Sequence, residues 1–76
     1  MSKTIADLKR GQRGIIKSFS AETIPLKLLE MGCLPGNEVE LVQSAPFRDP
    51  LYVNINGSHL AIRNETARQI EIEILT

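Results

Sequence analysis

Leu26-Lys27-Leu28-Leu29-Glu30-Met31-Gly32-Cys33-Leu34-Pro35-Gly36-Asn37-Glu38-Val39-Glu40-Leu41 changes from a helical to an extended hydrophobic pattern within a few residues. Leu28 and Met31 share one face at helical spacing, Gly32 can take the left-handed conformation that closes a helix, and Pro35-Gly36 is turn chemistry. Beyond the turn, Val39 and Leu41 alternate with Glu38 and Glu40, the two-residue period of a strand with one buried face. Upstream, Pro25 is tolerated only in a first turn, so Thr23 or Ile24 should start the helix, which can hardly pass two turns. The remaining segments must fit around this junction of a short helix and a strand.

Downstream, the strand from Asn37 to Ser44 runs into Ala45-Pro46-Phe47-Arg48-Asp49-Pro50, which its two prolines keep out of any ladder. That loop should be an exposed, stiff excursion. Leu51-Tyr52-Val53-Asn54-Ile55 and Ser58-His59-Leu60-Ala61-Ile62-Arg63 then flank Asn56-Gly57, the pair suited to a two-residue type I′ turn. Counting outward sets Ile55 opposite Ser58, Asn54 opposite His59, Val53 opposite Leu60, Tyr52 opposite Ala61 and Leu51 opposite Ile62. A slip of one residue would expose Leu51, Val53, Leu60 and Ile62 together.

Before the junction, Ile5 and Leu8 are spaced to pack as one helical turn, and Gly11 and Gly14 bracket the entry to a first strand from Gly14 to Phe19. After the hairpin, Asn64 should cap a single turn ending at Arg68. Gln69 to Ile74 alternates strictly, with Ile70, Ile72 and Ile74 inward and Glu71 and Glu73 outward. The pattern is mainly β: one small, strongly bent barrel of about five strands, with a short helix inserted after the first strand. Residues 1–76 make a single domain, too small for two lobes around a substrate cleft.

Nine Lys and Arg balance nine Asp and Glu, so no overall basic charge is available to hold a nucleic-acid backbone. The charge is uneven: Lys3, Lys9, Arg10, Arg13, Lys17 and Lys27 crowd the first third, while the remainder is acidic. A folded barrel can interleave these segments, so the asymmetry reads as solvated charge. Cys33 is the single cysteine, which excludes an internal disulfide and fits a reducing, cytoplasmic setting. The N-terminus lacks the apolar core of a signal peptide, and no run is long enough to cross a bilayer, so any membrane role should be indirect.

No enzymatic constellation is present. A P-loop needs G-x-x-x-x-G-K-[ST] after a strand, and the chain has no such run. His59 has no second histidine at ligand spacing. Ferrous iron would accept His59, Cys33 or the carboxylates Glu38, Glu40, Glu71 and Glu73. His59 faces Asn54, a poor ligand, and Cys33 follows a helix end where a small apolar residue would serve as well. No metal site and no cofactor are therefore assigned.

The run Leu28-Leu29-Glu30-Met31-Gly32-Cys33-Leu34-Pro35-Gly36-Asn37-Glu38-Val39 is followed by Ala45-Pro46-Phe47-Arg48-Asp49-Pro50-Leu51, by Leu60-Ala61-Ile62-Arg63, and by Ala67 and Ile70. In that order and spacing the blocks resemble the FeoA family of ferrous-iron-transport accessory proteins, over nearly the whole chain. The resemblance implies a Src-homology-3-like (SH3-like) β-barrel in a bacterial cytoplasm, peripheral to the inner membrane through its partner, the membrane GTPase FeoB, in uptake of Fe²⁺. Nucleotide hydrolysis would then belong to the partner. A similar fold occurs as the C-terminal domain of metal-dependent repressors. The family often carries glycine where this chain has Arg48, which makes the loop bulkier and more basic.

A recognition surface is the functional reading the residues favour. Cys33, Leu34 and Pro35 occupy a tight link where not every side chain can point inward, and Pro46, Phe47 and Arg48 lie on the stiff loop. Apolar side chains on preformed turns lose little entropy on docking. Two other readings are a free-standing interaction or metal-sensing version of the repressor domain, acting in trans because no helix-turn-helix is present, and a small-barrel nucleic-acid binder. The second is disfavoured by net charge and by Phe19, Phe47 and Tyr52 being scattered. The edge strands of an incomplete barrel also leave pairing with another copy open.

Overall fold

Asn56 and Gly57, with φ of 51° and 89°, close the expected hairpin in a computed structural model of the chain that describes residues 3–75. The flanking strands, numbered in chain order as β4 (Leu51–Ile55) and β5 (Ser58–Ile62), pair in the register counted from the turn, all five pairs included. The other strands are β1 (Lys3–Thr4), β2 (Arg13–Ser18), β3 (Glu38–Ser44) and β6 (Glu71–Ile74). They form one antiparallel sheet in the order β1-β6-β2-β3-β4-β5. The sixth strand is β1, a two-residue pairing of Lys3 with Ile72 and Thr4 with Glu71 that is too short to show a period in sequence.

One extra residue in each of two strands bends the sheet. Lys17 lies between the pairs Ile16–Ile72 and Ser18–Glu71, and Val42 between Leu41–Val53 and Gln43–Tyr52. Such bulges sharpen the local twist, which lets a single sheet curl around its own apolar face. Inside lie Ile16, Val39, Leu41, Leu51, Val53, Ile55, Ile62 and Ile72 from the strands. Ile5, the first residue of a 3-10 turn over Ile5–Asp7, and Leu8, just after it, are both fully buried; the Asp7 carboxylate holds that turn by accepting the Thr4 N–H at 2.8 Å.

The helix α1 spans Leu26–Glu30 and buries Leu28. It starts two or three residues later than the expected Thr23 or Ile24, because Pro25 stands outside it in an extended conformation (φ −55°, ψ 136°) instead of within its first turn. Its end is a Schellman closure: Gly32 takes φ 102°, the Cys33 N–H donates to the Leu28 carbonyl at 3.0 Å, and the Gly32 N–H to that of Leu29 at 3.2 Å. The Asn37 amide donates to the Gly32 carbonyl at 2.7 Å and ties this end to the following turn. A second short helix, α2 (Asn64–Ala67), is capped differently from expectation. Asn64 is its first residue, and Asp49 of the β3–β4 loop accepts the Asn64 N–H at 3.1 Å.

Candidate functional site

The six residues between β3 and β4 form a tightly fastened loop. Ser44 pairs with Leu51 at the base, and the Ala45 N–H donates to the Pro50 carbonyl at 3.0 Å. Phe47 and Arg48 within the loop have φ of 64° and 59°, a left-handed conformation that bulky side chains resist. Bonds made elsewhere hold it. The Arg48 guanidinium donates through Nη2 to the carbonyls of Ala6 at 2.8 Å and Leu8 at 3.0 Å, and the Asn64 amide donates to the Arg48 carbonyl at 3.2 Å. The loop is thus fastened to the N-terminal turn and to α2. A glycine at this position would take φ 59° without steric cost; Arg48 replaces that freedom with two hydrogen bonds. It is a strut here, and its cationic group is already engaged.

Phe47 gains nothing from this arrangement in packing, since its side chain is fully solvent-exposed at 101%. Pro46 beside it is also exposed. At the opposite end of β3, the link between α1 and β3 exposes Leu34 and Pro35, while Cys33 is completely buried. The structure corrects the placement of Cys33 on an accessible surface: the Schellman geometry turns the second residue past the helix onto the core, next to Leu28. The seven residues of β3 separate the two turns by roughly 20 Å, so Leu34 and Phe47 do not share one contact patch.

Burial pushes the Cys33 thiol up from 9.0 to about 11. A raised folded-state value means the proton is held more tightly in the native state. The associated stability is complete below about pH 9 and declines as pH rises toward about 11. We expect Ellman's reagent to leave the folded protein unlabelled at pH 8 and to label it on unfolding in urea. The fall in urea midpoint between pH 8 and 11 should be smaller in Cys33→Ala. Labelling of folded protein at the rate of a free thiol would contradict this assignment.

A third surface was not singled out from the sequence. A groove of about 450 Å³ runs between α1 and β5, with Pro25, Leu28 and Met31 on one side and Leu60, Ala61 and Ile62 on the other. Leu26, at the start of α1, is 68% exposed. Leu26 is not among the groove's lining residues: with Leu28 and Met31 on the buried face, it falls two residues away on a different one, and the groove itself left no local signal in the sequence.

The candidate iron ligands are dispersed. Glu38 pairs with Arg13 at 3.5 Å, Glu73 with Lys17 at 3.6 Å, and Glu71 accepts the Ser18 hydroxyl at 3.1 Å. Glu40 and His59 flank Asn54 in one cross-strand row, and His59 is exposed. Among the described residues no three His, Cys, Asp or Glu side chains group closely enough to hold a metal ion. No described helix is long and apolar enough to cross a membrane.

Comparison with known proteins matches residues 3–74 to the model of the FeoA domain. The Fe(2+) transport protein A/Fe(2+) transporter FeoB fusion protein of Porphyromonas gingivalis is 33% identical over 73 residues, covering 95% of this chain. The chain spans 9% of the length of that relative. The solution structure of the FeoA protein from Chlorobium tepidum superposes with a TM-score of 0.87 at 29% identity, covering 97% of this chain and 71% of that one. A crystal structure of Stenotrophomonas maltophilia FeoA complexed with zinc, described as a prokaryotic SH3 domain protein, superposes at 0.78 with 24% identity, over 93% and 89% of the two chains. At that identity the likeness concerns the fold, a small SH3-like barrel.

Proposed function

Because the chain belongs to the FeoA family, accessories of ferrous iron transport, we propose that it is a cytoplasmic adaptor that docks on a FeoB-type membrane GTPase and modulates Fe²⁺ uptake. The observation that carries the reading is Phe47: a large apolar side chain, fully exposed, on a loop whose strained backbone is held by bonds to two other elements. Strain with no return in packing is what a preformed contact looks like. Pro46 extends that contact, Arg48 fixes its shape, and Leu34 with Pro35 offers a second, weaker contact at the far end of β3. The fusion of the two proteins in the Porphyromonas relative supports FeoB as the partner.

The mechanism is differential binding. An adaptor shifts a GTPase between states only by holding one more tightly than the other. Iron is the transporter's cargo, and no catalytic step is assigned to this chain. The test is a titration of isotope-labelled protein with full-length FeoB in nanodiscs, first with GDP and then with a GTP analogue. We expect signal loss that includes Ala45 to Pro50, with different affinities in the two nucleotide states. Unchanged spectra in both states would overturn the docking reading, and equal affinities would overturn the mechanism.

A further inference from the structure

One of the two edges of the sheet, β5, lies along the apolar groove. In an antiparallel pair the hydrogen-bonded and non-bonded positions alternate, and a two-residue turn makes its flanking pair, Ile55 and Ser58, a bonded one. Leu60 and Ile62 are then bonded to β4 as well, and the N–H and C=O groups of His59 and Ala61 point away from it. Among the described residues nothing pairs with β5 on that outer side. The usual defences of an edge are missing: its two outward-directed residues are His and Ala, with no Lys, Pro or bulge.

What lies beside this edge restricts what can pair with it. Leu28 of α1 and Met31 just past its end line the groove together with Leu60 and Ile62, an apolar surface for the inward side chains of an added strand. Lys27 and Arg63 also line it, both exposed, and no acidic residue does. Among the described residues neither cation has a salt-bridge partner. Unpaired edge backbone groups, an apolar groove and unneutralised cations together specify an extended peptide in which apolar residues alternate with acidic ones.

We infer that the groove between α1 and β5 takes an extended, acidic and apolar segment of the partner protein, which adds to the barrel as a strand on the β5 edge. This rests on the docking reading above, and it adds to the Phe47 contact a second one, with its mode and the chemistry of the segment bound.

Amide hydrogen exchange in the complex with full-length FeoB in nanodiscs tests it. Strand addition should protect the amides of His59 and Ala61 by at least tenfold while leaving Leu60 and Ile62, already bonded to β4, little changed. Ala61→Pro removes one edge donor at a position where an edge strand tolerates proline, and should weaken binding at least tenfold. The double variant Lys27→Glu, Arg63→Glu, which leaves the backbone intact, should do the same and serves if the proline variant does not fold. A complex that forms without protection at His59 and Ala61, or that the charge reversal leaves unweakened, overturns the inference and spares the docking reading. Absence of any complex overturns both. Protection that grows with protein concentration when FeoB is absent would overturn it in favour of pairing between copies of this chain.

Discussion

Gly14→Leu should destabilise the fold severely, by a large part of its total stability. The position lies inside β2, paired with Val39 on one side and Ile74 on the other. A Cβ there would sit 2.8 Å from Ile72 Cδ1 and 3.0 Å from the Glu73 carbonyl oxygen. The isoleucine methyl could swing aside, but the carbonyl belongs to the β6 backbone. Leucine adds three further carbons beyond the Cβ, and overpacking of this kind costs about 3 kcal/mol or more. A 76-residue domain has roughly 4–11 kcal/mol in all. A urea midpoint lowered by about 2–3 M is expected, with Gly14→Ala falling between the variant and the parent. A leucine variant with the parent midpoint would show that β2 and β6 can move apart.

Gly14 also shows where sequence reasoning reaches its limit. Composition places it at the entry of a strand as a breaker, which is right for Gly11, whose φ of 85° lies outside the ladder. The reason for Gly14 is close approach of β6, a strand nearly sixty residues later, and no local pattern carries that distance. The hairpin was fully legible because turn chemistry and alternation are both local and both specify the same register. The bulges at Lys17 and Val42 were not, since an extra residue is defined only against a partner strand.

The candidate site divides along the same line. Exposure of Pro46 and Phe47 follows from the two prolines that bar the loop from a ladder, and the sequence shows that much. The role of Arg48 depends on carbonyls of Ala6 and Leu8, about forty residues earlier, and the cap on α2 comes from Asp49 instead of from its own Asn64. Cys33 was misplaced because a short link suggests outward side chains, whereas the closure after Gly32 determines which one turns in. The β5 edge becomes a surface only when the strand order is known.

Phe47→Ala should weaken binding to FeoB by some thirtyfold or more while leaving the urea midpoint unchanged. The two effects separate because the ring touches solvent only, so its removal deletes no internal contact. An aromatic anchor at the centre of an interface is typically worth about 2 kcal/mol or more on truncation. Arg48→Ala should act through the loop instead, losing its bonds to the Ala6 and Leu8 carbonyls. It should lower stability measurably and binding by a smaller factor, since the ring remains but is no longer held in place. Leu34→Asp, at the opposite end of β3, is the control for position. If Phe47→Ala binds like the parent and Leu34→Asp does not, the contact belongs to the turn after α1, and the strain at Phe47 and Arg48 has another purpose.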